Sequence, residues 1–192
     1  MSSNVLRVGV LVSGNGSNLQ ALIDDTQKPD CNYQISVVVS NKPDAFALTR
    51  AREARISHAV ITHSNFQTRD QFEQALVHEL QIHHVDWIVL AGFMRILGPT
   101  FLSAFPNRVI NLHPALCPAF PGLHAPRQAL DYGVRYTGCT VHIVNEGVDS
   151  GPILAQAVVP VLNNDTEKTL SKRIQAEEHR LLPKVVRSLS NK

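Results

Sequence analysis

The fold class of this protein is decided near the start of the chain, where residues 5–23 read VLRVGVLVSGNGSNLQALI. The first eight of these residues form an apolar run that only Arg7 interrupts, and they lead directly into small polar residues. Leu19, Leu22 and Ile23 then follow at helical spacing. The stretch therefore predicts a strand, a tight turn and a helix.

The same order of strand and helix recurs downstream. Apolar runs predict strands at residues 35–39, 58–61 and 87–91, each followed or preceded by a helical pattern. Thr68 and Gln71 fit a capping box at the start of the third helix. Strands that alternate with helices indicate an α/β fold with a doubly wound, mostly parallel sheet, because a strand-helix-strand crossover packs stably in one hand only.

The second half of the chain opens with a proline-rich stretch. Four prolines fall within thirteen residues: Pro114, Pro118, Pro121 and Pro126. Because proline disfavours helix interiors and central strands, this stretch predicts a long ordered loop. Residues 140–144 and 153–161 predict antiparallel strands near the C-terminus, and residues 166–189 carry the apolar stripe of a final helix. No repeat or linker divides the chain, so we expect a single domain over residues 1–192.

Composition places the chain among soluble globular proteins, since 44% of the residues are hydrophobic, 18% are charged and the formal net charge is +2. No apolar run approaches the ~20 residues that span a bilayer. The first residues also lack the basic flank of a signal peptide, so we expect a cytoplasmic protein without membrane contact. The nearly neutral charge argues against a nucleic-acid partner. No cysteine or histidine spacing indicates a metal site.

The turn after the first strand is a candidate anion site. Its glycines and small polar residues allow several backbone N–H groups to face one anion at the start of a helix, which suits a phosphate. Leu19 replaces the third glycine of a dinucleotide fingerprint, and no lysine of an NTPase loop is present, so NAD and ATP are disfavoured. The alternative is a plain tight turn in which Ser17 or Asn18 caps the helix.

A second candidate site is the sequence Asn111-Leu112-His113 at the end of a predicted strand. Because side chains alternate along a strand, Asn111 and His113 lie on the same side. Pro114 ends regular pairing, so the pair emerges at the carboxyl edge of the sheet, where open α/β sheets bind ligands. An amide beside an imidazole can stabilise an oxyanion and move a proton. The alternative is a histidine whose ring is satisfied by a loop carbonyl.

Asp149 lies in a turn between the last two predicted strands. Near His113 its carboxylate would favour the protonated imidazole and hold a water for proton transfer. Alone, it is equally suited to capping its own turn. His142 alternates along a predicted strand, and His124 in the proline-rich stretch is a possible ligand contact. The chain has no Ser-His-Asp order or nucleophile elbow, which argues against a covalent acyl-enzyme.

Several stretches together resemble the phosphoribosylglycinamide formyltransferase family of folate-dependent enzymes, in collinear order over essentially the whole chain. They are SGNGSNL at 13–19, LAGFMRIL at 90–97, NLHP at 111–114, TGCTVH at 137–142 and DSGP at 149–152. The resemblance implies a Rossmann-like formyltransferase fold and carries residue roles to matching positions. The catalytic trio that it implies is Asn111, His113 and Asp149.

The resemblance also implies two groups of binding residues. The first holds glycinamide ribonucleotide: Gly16, Ser17, Asn18, Arg69, Gln175 and Glu178. The second lines the folate pocket: Met94, Arg95, Ile96, Leu97, Asn145, Glu146, Gly147 and Val148. His124 remains a possible substrate contact.

The function implied by the resemblance is transfer of the formyl group of 10-formyltetrahydrofolate to the amine of glycinamide ribonucleotide, without a metal. The amine attacks directly, Asn111 and protonated His113 hold the oxyanion, and Asp149 relays a proton through a water. Three alternatives stay open: a formyltetrahydrofolate hydrolase, another formyltransferase such as methionyl-tRNA formyltransferase, and a non-catalytic protein that binds a phosphorylated metabolite. A monomer and a homodimer are both compatible with the sequence.

Overall fold

The computed structural model describes residues 5–191 of the chain. Its strands are β1 (Leu6–Val12), β2 (Tyr33–Ser40), β3 (His58–Val60), β4 (Trp87–Leu90), β5 (Val109–His113), β6 (Tyr136–Ile143) and β7 (Ile153–Pro160). Its α-helices are α1 (Ser17–Thr26), α2 (Phe46–Glu53), α3 (Arg69–Ile82), α4 (Pro99–Ala104), α5 (Ala125–Tyr132) and α6 (Glu167–Ser188). None of the helices in this part of the chain has the length and apolarity needed to cross a membrane.

The strands form one seven-stranded sheet in the order β3-β2-β1-β4-β5-β6-β7. β1 to β5 pair in parallel, whereas β6 and β7 pair antiparallel, which confirms the predicted fold class. The strand order reverses between β1 and β4, so the connections that leave these two neighbouring strands diverge. A crevice opens at such a point at the carboxyl edge of a sheet.

Helices cover both faces of the sheet, as the apolar composition of the central strands requires. β1 contributes to both layers, because Val10 packs with α1 and α6 while Leu11 packs with α3 and α4. Leu182 of α6 and Phe101 of α4 are fully buried members of the two layers.

The proline-rich stretch forms the predicted loop over residues 114–124, but the prediction that it contains no helix was wrong at its end. Helix α5 begins there, at Ala125, with Pro126 in its first turn. Proline is tolerated at that position because the first N–H groups of a helix have no partner within the helix. The short helix α4, with Pro99 in its first turn, was not predicted either. Thr68 caps α3 as predicted, but the side chain of Gln71 accepts from the N–H of Gln67, so the capping box is incomplete.

The two ends of the described chain meet at the amino edge of the sheet, at the turn before β2. The carbonyl of Asn32 accepts from the Leu6 N–H at 3.1 Å. The side-chain amide of the same residue donates to the Arg187 carbonyl at 2.8 Å and to Ser190 Oγ at 2.7 Å. The guanidinium of Arg187 also binds both oxygens of the buried Asp25 carboxylate, at 2.7 and 2.9 Å, which fixes the end of α6 to α1.

Candidate active site

The structure brings Asn111, His113 and Asp149 together at the carboxyl end of β5. His113 Nδ1 lies 3.2 Å from Asp149 Oδ2, and the Asn111 side-chain amide donates to Asp149 Oδ1 at 3.2 Å. The two β5 residues face the same side because they are two positions apart on one strand. Asp149 reaches them from the connection between β6 and β7, in a left-handed backbone conformation with φ of 47°.

The environment of Asp149 keeps its carboxyl group ionised. Burial raises its pKa, but the neighbouring His142 and His113 imidazoles and the hydrogen bond from the Gly122 N–H outweigh burial and leave the pKa below its ordinary value. The Gly122 N–H donates to Oδ2 at 2.8 Å. An ionised carboxylate therefore faces the imidazole at neutral pH.

His113 is buried, and each of its ring nitrogens faces an oxygen acceptor. Nδ1 faces Asp149, and Nε2 lies 2.8 Å from the carbonyl oxygen of Phe120. Both contacts are N–H···O hydrogen bonds only when the ring carries two protons, so this geometry suits the imidazolium. The loop-carbonyl contact considered from the sequence is thus present, and the contact to Asp149 accompanies it.

His142 is a fourth polar residue of this group and was not selected from the sequence. Its Nε2 lies 3.4 Å from the Asn111 amide nitrogen and 3.6 Å from Asp149 Oδ1. The residue lies directly across from Asn111 because β5 and β6 pair antiparallel in that register. Periodicity within one strand cannot predict which residues of two strands lie opposite each other, so the sequence did not place His142 beside Asn111. His142 is nevertheless the last residue of the TGCTVH stretch quoted for the resemblance.

Five of the six residues predicted to hold the ribonucleotide, all except Arg69, come from opposite ends of the chain and meet at the start of α1. Gln175 of α6 donates to Ser17 Oγ at 2.9 Å, and the Asn18 side-chain amide donates to Glu178 Oε2 at 3.1 Å. Burial raises the pKa of Glu178, and the hydrogen bond from Asn18 lowers it by less. The predicted helix and the predicted turn are therefore in direct contact.

The turn itself leaves the start of α1 open. Gly16 occupies the cap position with φ of 74°, and no side chain caps the helix. A Cβ atom at Gly16 would lie 2.6 Å from the Cβ of Ala47, so glycine is required both by its backbone conformation and by close packing. Uncapped N–H groups at a helix start, next to two polar side chains, suit an anion such as a phosphate.

The predicted folate-side residues flank the same crevice. In the segment that follows β4, Met94 and Ile96 are 60% and 66% exposed, whereas Leu97 is buried, so only its backbone can face a ligand. Asn145 Oδ1 accepts from the Gly147 N–H at 3.1 Å within the connection before β7, and Val148 is exposed.

Two predicted contacts lie apart from the glycine turn. The guanidinium of Arg69 donates to the Ile96 carbonyl at 2.9 Å, which associates Arg69 with the segment after β4. His124 is exposed at the start of α5, with its ring 3.5 Å from Glu167.

Comparison with known proteins assigns this arrangement to a family. The formyl transferase family profile matches residues 6–186. Phosphoribosylglycinamide formyltransferase of Escherichia coli (strain K12) is 44% identical over 181 residues, which cover 94% of this chain and 85% of that enzyme. The chain belongs to the phosphoribosylglycinamide formyltransferase family. The resemblance stated from the sequence is thereby confirmed.

Other members of the phosphoribosylglycinamide formyltransferase family extend the comparison. The crystal structure of glycinamide ribonucleotide transformylase 1 from Symbiobacterium toebii matches with a TM-score of 0.96 and 46% identity, covering 100% of this chain and 90% of that one. The trifunctional purine biosynthetic protein adenosine-3 of Drosophila melanogaster is 45% identical over 193 residues. This chain covers only 14% of that much longer protein.

Proposed function

We propose that this chain transfers the formyl group of 10-formyltetrahydrofolate to the amine of glycinamide ribonucleotide in purine biosynthesis. The observation that carries the proposal is the meeting of Asn111, His113 and Asp149, within 3.2 Å contacts, at the crevice between the glycine turn and the segment after β4. Membership of the phosphoribosylglycinamide formyltransferase family supplies the two substrates.

The ribonucleotide binds at the glycine turn. Its phosphate accepts hydrogen bonds from the open backbone N–H groups of Gly16, Ser17 and Asn18. Gln175 and Glu178 contact the remainder of this substrate from α6. The amine then extends along the crevice toward His113.

The folate cosubstrate lies along the segment after β4 and the connection before β7. The exposed apolar side chains of Met94 and Ile96 suit its flat ring system, and residues 145–148 close the other side. We place Arg69 on this side, together with Arg95, because its guanidinium contacts the Ile96 carbonyl. The formyl group then lies beside the catalytic trio.

In the reaction, the amine nitrogen forms a bond to the formyl carbon, and the bond from that carbon to the folate nitrogen breaks. The oxygen carries negative charge in the tetrahedral intermediate, and it accepts hydrogen bonds from the Asn111 amide and the His113 imidazolium. A proton leaves the attacking nitrogen and reaches the departing folate nitrogen through a water held by Asp149. In the structure the Asn111 amide donates to Asp149, and His113 Nε2 faces the Phe120 carbonyl. Substrate binding therefore exchanges these acceptors for the substrate oxygen.

The test is an absorbance assay for tetrahydrofolate release from 10-formyltetrahydrofolate, with and without glycinamide ribonucleotide. We expect release only when both substrates are present. Release without the ribonucleotide would instead identify a hydrolase, and no release under either condition would identify a binding protein.

Replacement of the oxyanion donors tests the site. Asn111→Ala and His113→Ala should each lower kcat by about 10²–10³-fold, because each removes a donor to the developing negative charge. His78→Ala, an exposed histidine on α3, is the control and should leave kcat unchanged. Near-normal turnover in both crevice variants, with intact circular dichroism, would refute the assignment.

A further inference from the structure

The segment of residues 94–98 lacks regular secondary structure, yet it carries the exposed apolar side chains of Met94 and Ile96. Its two ends are fixed by buried polar side chains from elsewhere in the fold. Ser13 holds the first residue and is 5% exposed, and Glu73 holds the last and is 1% exposed. Neither side chain has a part in the reaction described above.

Ser13 joins this segment to the glycine turn. Its hydroxyl accepts from the Met94 N–H at 2.8 Å and donates to Oδ1 of the buried Asn41 at 2.6 Å. Ser13 directly follows β1, and Met94 lies beyond the end of the neighbouring β4. One hydroxyl group therefore ties together the two connections that diverge at the crevice.

Glu73 fixes the other end through three hydrogen bonds. Oε1 accepts from the Gly98 N–H at 2.6 Å and from Arg69 Nε at 2.7 Å, and Oε2 accepts from the Phe101 N–H at 3.0 Å. The guanidinium lies directly against the glycine, since a Cβ atom at Gly98 would be 2.8 Å from Arg69 Nη2. A buried carboxylate is costly to desolvate. Here its backbone contacts hold the last residue of the segment and the first turn of α4, and its third contact holds Arg69 on its own helix.

We propose that Ser13 and Glu73 are positioning residues that hold segment 94–98 in the conformation that receives the folate cosubstrate. Glu73 acts both on the backbone of the segment and on the guanidinium of Arg69. The identity of the ligand rests on the proposed function, whereas the ordering of the segment in the free protein does not.

The proposal has a specific kinetic signature. A segment that is already ordered before binding loses little conformational entropy when the ligand binds. Loosening it should raise KM for the folate cosubstrate and leave kcat and KM for the ribonucleotide nearly unchanged. A residue that only stabilised the fold would lower the folded fraction without separating the two substrates.

The test uses the full chain with Glu73→Gln and Ser13→Ala, and two matched controls. Glu79→Gln changes a second α3 glutamate, which faces His83 at 3.2 Å, and Ser36→Ala removes a β2 hydroxyl that has no partner among the described residues. We expect KM for 10-formyltetrahydrofolate to rise about tenfold in both test variants, as for loss of one buried hydrogen bond. Deuterium exchange of residues 94–98 in the ligand-free protein should accelerate in the same variants, and the controls should match the unmodified chain.

Unchanged exchange in segment 94–98 and unchanged KM in folded test variants would overturn the proposal, as would a loss confined to kcat. Should Glu73→Gln fail to fold, Ser13→Ala decides the question, because loss of its small hydroxyl leaves no charge unpaired. Faster exchange in the variants, combined with no folate-dependent turnover in the unmodified chain, would support the positioning role and refute the proposed function.

Discussion

Two carboxyl groups border the crevice in opposite electrostatic environments. Asp149 faces two imidazoles and a backbone N–H, and its pKa lies below the ordinary value. Glu178 is buried and accepts a hydrogen bond from the neutral amide of Asn18, and burial raises its pKa. When the environment lowers the pKa of one carboxyl group and raises that of another, the two groups can serve different roles. Asp149 supplies a permanent negative charge, whereas Glu178 supplies a polar group whose ionisation is costly.

Asp149→Asn should slow turnover by at least about 10²-fold, because a neutral amide cannot stabilise the imidazolium form of His113. On the acid side of the profile, the unmodified enzyme should lose activity as the pH falls through the lowered pKa of Asp149. The variant has no carboxyl group to titrate there, so the acid limb of its profile should shift. The measurement is kcat as a function of pH. Asp131→Asn, at an exposed site on α5, serves as control, and an unaltered rate and profile for Asp149→Asn would restrict that residue to a turn cap.

Glu178→Gln should stabilise the protein by on the order of 1 kcal/mol at neutral pH, because it replaces a buried carboxyl group whose ionisation is disfavoured and keeps an acceptor for Asn18. Since the folded pKa of Glu178 is raised, this carboxyl group costs stability as the pH rises above its unfolded pKa, and the cost reaches its full value above the folded pKa. The gain should therefore be largest at neutral to alkaline pH and vanish in acid. Urea unfolding at several pH values measures it. The neighbouring Glu177→Gln, at an exposed pair with Arg180, should change stability little, and an equal response of both variants would contradict the explanation.

Helix α6 is the element that connects the site to the rest of the fold. A reciprocal pair of hydrogen bonds between Thr166 and Thr169 caps its start, at 2.9 and 3.2 Å. Its middle carries Gln175 and Glu178 to the glycine turn, and its end is fixed to α1 by Arg187. The position of two proposed substrate contacts thus depends on attachments at both ends of one helix.

Arg187→Met should destabilise the protein because it removes the main partner of the buried Asp25 carboxylate, and Lys28, which still pairs with Asp25, should limit the loss. Burial raises the pKa of Asp25, but hydrogen bonds from Arg187 and Lys28 hold it below its ordinary value. The ion pair therefore contributes stability above the unfolded carboxyl pKa, and this contribution is lost as the pH falls through the folded pKa. Urea unfolding at neutral and acidic pH should show a difference that shrinks in acid.

Two further variants separate the pair from general effects on the helix. Arg180→Met, which removes an exposed pair on α6, should cost less than about 1 kcal/mol. Adding Asp25→Asn to Arg187→Met should recover part of the loss, since no buried charge then lacks its partner. A difference that is independent of pH would exclude the ion pair as its origin.

At the scale of the whole molecule, the sequence predicted what local patterns encode. Apolar runs that alternate with helical patterns predicted the parallel strands and the order of strands and helices along the chain. The period of two in a strand predicted that Asn111 and His113 face the same side. The position of His142 could not be derived, because it depends on the register between β5 and β6, which pairs residues distant in sequence. The contact of His113 with the Phe120 carbonyl likewise depends on how the proline-rich stretch folds back.

The meeting of both chain ends at Asn32 bears on how this fold combines with others. Leu6 and Ser190 lie at the amino edge of the sheet, whereas the crevice lies at the carboxyl edge. A polypeptide attached at either end would therefore leave the fold at the amino edge of the sheet, away from the crevice, and would not block access to the crevice. Such an arrangement is compatible with attachment to further domains, and the trifunctional Drosophila melanogaster relative is a much longer protein, of which this chain covers 14%.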